Sequence, residues 1–316
     1  MRILLVLAMM GWGLVWPLSK MLLEFGSPAQ IASLRYLLVL VCFVPLMWLW
    51  KIPFAVPRAV LLPTLITGVL NALYSYLMYA GMPYGDSGNA GVITEVLSPI
   101  IAAFLWSVYK RESLSKSAKI GLMLGLLAGA FLVDVFGSWR SMFSAFYVIY
   151  VLASLDWAAL MISSRLATEK INAIALNFYT SVMTFVLLCP ALFADSSGLG
   201  GDFGSGVVIE SGVVIESGVV IESGAFITSL WDKPLVFFAL LVVAAVFCTV
   251  FATTIFYKAL FVLGVVEGGI YALLAPVFAL GFAYLLLDEV PRWHTIVGGV
   301  LAVGSIYIIN ILGKKH

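Results

Sequence analysis

Charged side chains are scarce in this chain. Asp, Glu, Lys and Arg make up 10% of its 316 residues, against 63% hydrophobic ones. A soluble domain of this length cannot cover its surface with so few polar groups, which excludes an ordinary globular enzyme or binding module. The charge that is present nearly cancels, at net +1. Its Lys and Arg stand in ones and twos between apolar runs, so no basic surface for nucleic acid is expected. Histidine is almost missing, with only His294 and His316. No HExxH, Walker A or dinucleotide sequence occurs, so neither a metal nor a cofactor is expected, nor an enzymatic activity. An intramembrane hydrolase built on Ser and Asp stays open by residue type, but no spacing sets a nucleophile against a base. The three cysteines, Cys42, Cys189 and Cys248, lie far apart inside apolar runs and read as small hydrophobes, not as a disulfide framework. The opening stretch MRILLVLAMMGWGLVWPLSK lacks a small-x-small cleavage site and reads as a first helix.

What the chain does have is a succession of apolar runs, each near the ~20 residues that cross a bilayer as helix. Spans are expected at 3–23, 29–50, 59–80, 87–108, 118–134, 141–163, 172–194, 235–257, 265–286 and 294–311. This is an all-α polytopic membrane protein of ten transmembrane helices. With the N-terminus cytoplasmic, 12 of the 17 Lys and Arg fall in inner segments. Only Arg140, Lys233 and Arg292 fall outside, so both termini are placed in the cytoplasm. That orientation fits a bacterial inner membrane.

SPIIAAFLWSVYKRESLSKSAKIG (98–121) and APVFALGFAYLLLDEVPRWHTIVG (275–298) share a frame: Pro99, Glu112 and Gly121 match Pro276, Glu289 and Gly298 at a constant offset of 177. Earlier in the halves, Trp12 and Trp157 align at an offset of 145. The difference, 32 residues, is close to the length of one long loop at 195–233. The chain therefore reads as two five-helix repeats, 1–137 and 138–316, the second enlarged by an insertion. Five is odd, so the repeats run through the membrane in opposite senses, the inverted plan of many secondary transporters. Inside the insertion the unit GVVIES is written three times, carrying Glu210, Glu216 and Glu222. Three six-residue units are too few for a self-supporting β-helix. The plainest reading is a tandem expansion tolerated in an external loop, with a lid or docking strand as the alternative.

GWGLVWPLSK, ASLRYLL, LSPIIAAFLWSVYKRE, SLDWAAL and LLAPVFALGFAYLLLDE occur in this order along the chain. Together they resemble the EamA-like branch of the drug/metabolite transporter superfamily, over both halves apart from 195–233. The resemblance implies ten helices around a central cavity that moves small organic solutes without ATP hydrolysis. It implies that spans one, three, four, six, eight and nine line the cavity, and that spans five and ten join subunits or halves, a homodimer being one candidate assembly. The chain departs from the family at Asp156, where a small or hydroxyl residue is usual, and in the length of the outer loop.

Charges inside hydrocarbon are costly and usually meet a partner or a wet cavity. Glu95 lies about nine residues into span four, roughly 13 Å deep. There it can hold a cationic group or exchange a proton as the coupling ion; a neutral, hydrogen-bonded Glu between helices is the structural alternative. Asp156 lies similarly deep in span six. It shares the cavity with Glu95 or pairs with Lys20 or Arg35. Trp12, Trp16 and Lys20 recur every four residues and share a helix face, an aromatic wall below a positive group. Lys20 binds a carboxylate or snorkels to water; Arg35 is expected to snorkel. Tyr79 and Trp157 are further wall candidates. Glu267, with Tyr271 one turn deeper, gates the inner mouth or pairs with Lys258. Asn71, Tyr74, Ser75, Asn177 and Tyr179 are expected to bond between helices and line part of the cavity. Trp48, Trp50, Trp139, Trp231 and Trp293 belong to interfacial belts. Glu112 and Glu289 sit at helix ends, where they cap or pair.

The residues favour a secondary transporter that exports or exchanges small amino-acid-like or amine metabolites by alternating access, surrounded by membrane lipid. The alternatives are an uptake carrier for a larger cationic or nucleotide-like metabolite, and a membrane scaffold or receptor acting through the external loop.

Overall fold

The computed structural model describes residues 1–110, 116–132, 134, 143–193, 226–256, 271 and 274–308. Among these the regular structure is helical throughout. The helices are α1 (Arg2–Leu22), α2 (Pro28–Leu49), α3 (Leu61–Ala80), α4 (Ser87–Lys110), α5 (Lys116–Leu132), α6 (Ala145–Thr168) and α7 (Ala173–Leu188). They continue with α8 (Leu235–Phe256), α9 (Leu274–Leu287) and α10 (Trp293–Tyr307). Six of the described helices are long and apolar enough to cross a membrane: α1, α2, the stretch containing α3, α6, the stretch containing α7, and α8. The GVVIES units and Glu267, Glu112, Lys258, Arg140 and Trp139 lie outside the described residues.

The helix starts follow from local chemistry. Pro28 occupies the first position of α2, where its missing N–H costs nothing, and the Gln30 side chain accepts the Ser27 N–H at 2.9 Å. The Asn172 side chain caps α7 by accepting the Ile174 N–H at 2.8 Å. α9 stops at Asp288, whose φ of 54° reverses the chain; the Glu289 N–H then bonds back to the Ala283 carbonyl. The Asp288 N–H itself bonds to the Tyr284 carbonyl at 3.1 Å, and a left-handed residue with that five-to-one bond is the αL way of closing a helix, here with Asp in place of Gly. Its effect is to aim Glu289 back over the bundle.

α1 packs against α8 and α9, and α6 packs in the same way against α3 and α4. α2 meets α7, α4 meets α9, and α5 meets α10. Small residues let some of these backbones approach closely. A methyl on Gly13 would fall 2.5 Å from the Phe278 Cβ and 2.7 Å from the Ala279 nitrogen. Gly88 and Gly91 of α4 sit on Ala283 and Ala279 of α9, each leaving only 2.9 Å for an added Cβ. The outward surface is rich in large apolar side chains, among them Ile3, Val41, Leu62, Met123, Leu285 and Val300, as a lipid-facing surface must be. Trp48, Trp50, Trp231 and Trp293 are all more than half exposed.

Candidate functional site

A cavity of ≈ 90 Å³ lies among α1, α2, α3, α4, α6, α7 and α8. Its wall combines aromatic residues (Trp12, Tyr36, Tyr74, Trp157) with polar ones (Arg35, Asn71, Glu95, Asn177, Thr180, Thr249). The seams between helices expected to line it are joined by α2 and α7, whereas no described residue of α9 is in the wall. α9 instead supports α1 and α4 from behind through the Gly and Ala contacts above.

Two charges share this wall. Glu95 lies eight residues into α4, ~12 Å from its start, and Arg35 seven residues into α2, ~10 Å from its start. Both helices begin at the end of the bundle where α1 finishes, so the two side chains stand at one depth. Arg35 does not snorkel. It is 4% exposed, its guanidinium carbon lies 5.1 Å from the Tyr36 ring centre and 5.2 Å from that of Tyr79, and its Nε has no partner. The expectation failed because ~10 Å of depth, with two tyrosine faces to hold the guanidinium, makes the inward direction the better solvated one for this cation. Arg35 is the residue whose place sequence reasoning misjudged. The signal was available in Ser27-Pro28, which fixes where α2 begins and hence how deep Arg35 lies.

Tyr36 also anchors a polar network: its hydroxyl accepts from Asn71 Nδ2 at 3.1 Å and from Ser75 Oγ at 2.9 Å, while Asn71 Nδ2 also donates to Thr184 Oγ1 at 2.7 Å. This ties α2, α3 and α7 together beside the cavity. Tyr179 is spent elsewhere, its hydroxyl donating to the Phe54 carbonyl. Tyr74 and Trp157 pack with ring centres 4.5 Å apart and planes tilted by 39°. The lower wall of α8 is π-helical from Val243 to Phe251, with Thr249 Oγ1 donating to the Ala244 carbonyl five residues back. π segments are uncommon and recur at functional sites. This one presents Cys248 and Thr249 to the cavity.

The other expected residues are placed as follows. Trp12 lines the cavity and packs on Phe256 at 4.6 Å. Trp16 is buried beside Glu95, its Nε1 otherwise unpartnered. Tyr79 is fully buried behind Arg35 and off the wall. Tyr271 packs into the cluster of Leu5, Ala8 and Met9 with Trp12. Asp156 is 7% exposed and is absent from the cavity wall; neither carboxylate oxygen has a hydrogen-bond partner among the described residues. It pairs with neither Lys20 nor Arg35.

Lys20 has a different partner. Its Nζ lies 2.8 Å from Glu289 Oε1 and donates to the Gly85 carbonyl at 2.8 Å. Glu289 Oε2 accepts from Ser87 Oγ at 2.8 Å and from the Gly88 N–H at 3.0 Å. One carboxylate thus joins the end of α1, the start of α4 and the end of α9. Burial pushes the Glu289 carboxyl up, but the Lys20 ammonium and the Ser87 and Gly88 donors outweigh it and hold the group below the usual carboxylate range. The junction lies one helical turn beyond Trp16, above the two charges. From their level the wall runs the other way, as far as Thr67, ~20 Å from the end of α3.

These features define a multi-pass membrane protein with a charged, aromatic-walled cavity among its helices. The chain belongs to the EamA-like transporter family, whose model matches residues 1–133 and 144–311. An uncharacterized transporter of Archaeoglobus fulgidus is 24% identical over 324 residues, covering all of this chain and 98% of its own. Another from that organism is 30% identical over 206 residues, covering 63% of this chain and 70% of its own. The uncharacterized transporter YetK of Bacillus subtilis is 24% identical over 81% of this chain and 69% of its own. A solved crystal structure overlays with a TM-score of 0.60 across 98% of each chain at 14% identity, a likeness of fold.

Proposed function

We propose that the protein is a secondary carrier of small amino-acid-like or amine metabolites that works by alternating access. The observation that carries this reading is Glu95, a carboxylate in a cavity reached from seven helices, flanked by Trp12, Tyr74 and Trp157. Such a group recognises an ammonium, aromatic faces hold its alkyl stem, and protonation of the same group couples a proton to the solute. A cavity of ≈ 90 Å³ favours small solutes over nucleotide-sized ones, since sites for drug-sized ligands span about 300–1,000 Å³.

Alternating access is supported by the pattern of packing. Exchange each helix with the one five places along, and α1 against α8 and α9 becomes α6 against α3 and α4; α2–α7, α4–α9 and α5–α10 map onto themselves. That is the pairing two inverted repeats of five spans would make, and such repeats give conformations of similar energy open to either side. With both termini cytoplasmic, the Lys20–Glu289 junction closes the external side, and the cavity wall extends toward the cytoplasm. Asp156, buried without a partner, is a second carboxylate for coupling if α6 turns it inward in the opposite state.

The test is counterflow in proteoliposomes with a labelled panel of amino acids and amines, comparing wild type with Glu95→Gln. Accumulation of one class, lost or made insensitive to pH in the variant, is expected. Accumulation that the substitution leaves unchanged would remove Glu95 from the mechanism. No accumulation of any member by folded protein would refute a carrier of these classes.

A further inference from the structure

We propose that Arg35 is the docking point for a carboxylate, so that the solute of this cavity is a zwitterion held by its two ends: carboxylate on Arg35, ammonium on Glu95. The inference rests on the carrier reading for its context but on different atoms for its content.

An arginine cannot shed its proton, so burying it without an anion is costly unless an anion arrives. Among the described residues Arg35 has no acidic partner; the ion pairs there are Lys20–Glu289 and a His294–Asp134 contact at 3.9 Å. The groups around the guanidinium are Tyr36 of its own helix, Tyr74 and Tyr79 of α3 and Cys248 of α8. The rings of Tyr36 and Tyr79 meet its face at 5.1 and 5.2 Å. Packing of that kind holds the guanidinium between two rings, and a hydrogen bond to Tyr36 takes part of its N–H edge. The Nε is without a partner, and the residue forms part of the cavity wall. A buried guanidinium on a cavity wall, with its Nε–H still free, can take a carboxylate through a charge-assisted hydrogen bond.

Glu95 supplies the other half. It stands at the depth of Arg35 on the same wall but makes no ion pair with it, and Tyr74 of the same wall is close enough to interact with both. Two opposite charges at one level, separated rather than paired, match a ligand whose own charges are separated by a short carbon frame. A simple amine would leave Arg35 unanswered, and a simple acid would leave Glu95 unanswered.

Binding to purified protein is measured by calorimetry with the twenty standard amino acids and, for those that bind, the amine left by decarboxylation and the methyl ester. In wild type the amino acid should bind about tenfold or more tighter than its amine or its ester, the difference that one charge-assisted pair makes. Arg35→Lys, which keeps the charge and loses the guanidinium geometry, should erase most of that preference. Equal binding of amino acid, amine and ester by the wild type would overturn the proposal whatever the variant does. Failure of every amino acid to bind folded protein would also overturn it. Carboxylate-dependent binding without counterflow would uphold Arg35 and refute the carrier; counterflow of amines and amino acids alike would do the reverse.

Discussion

Replacing Lys20 by Met tests whether the junction of α1, α4 and α9 holds the cavity shut. Removal of one member of a fully buried ion pair costs about 3–5 kcal/mol, and an exposed pair contributes less than about 1 kcal/mol. Here the ammonium is 33% exposed and the carboxylate 9%. An intermediate loss of about 1–3 kcal/mol follows, with Ser87 and Gly88 still bonded to Glu289. If that loss falls on the closed state alone, the open population rises by roughly 5- to 150-fold, since 1.4 kcal/mol is a factor of ten. The chain provides its own reporter: Cys248 is 2% exposed on the cavity wall, and Cys42 and Cys189 can be changed to Ser without touching that wall. In that background an impermeant maleimide, added on the side where α1 ends, should label Cys248 about tenfold faster in Lys20→Met than in wild type. Lys20→Arg should label much more slowly than Lys20→Met. An unchanged rate in a folded Lys20→Met protein would show that the pair braces the helices without controlling access.

The same junction predicts a pH dependence. Glu289 is held below the usual carboxylate range, so its stabilisation is complete above that range and lost as pH falls through the depressed value. The gap in unfolding temperature between wild type and Glu289→Gln should therefore be widest at neutral pH and close on acidification; a constant gap would refute it. Tyr36→Phe removes two interhelical hydrogen bonds. At about 0.6 kcal/mol each it should lower stability by about 1 kcal/mol in a denaturant titration. Gly13→Ala forces a methyl against backbone 2.7 Å away, and about 1–3 kcal/mol should be lost. Gly281→Ala, which meets nothing within 4 Å, should stay within about 1 kcal/mol of wild type in the same titration.

Much of the architecture could be read from residues one at a time. The apolar runs located the helices: the described ones lie within a few residues of the expected spans, apart from the start of the ninth, which falls outside the described residues. Which way each helix faces was harder. Trp157 points into the cavity while its neighbour Asp156 does not, and nothing in α6 separates the two, because lipid and protein interior are equally apolar and the helix carries no polar face to set its rotation. Partners distant in sequence were hidden for a similar reason. Lys20 and Glu289 are 269 residues apart, and their meeting depends on the left-handed turn at Asp288, a conformation that Asp permits but does not announce.

Arg35 has one more consequence, which is electrical. Its charge is permanent and lies inside the membrane, so the state of Glu95 decides whether the vacant wall carries one net positive charge or none. A zwitterion adds nothing to that sum. Any rearrangement that moves the Arg35 charge through a fraction of the transmembrane field is therefore driven or opposed by the membrane potential, at about 2.3 kcal/mol per 100 mV for the whole field. Even a tenth of the field at 100 mV is about 0.2 kcal/mol, enough to tilt two conformations of nearly equal energy. A solute neutral overall would then still be moved at a rate that depends on voltage, because the charge that travels belongs to the protein.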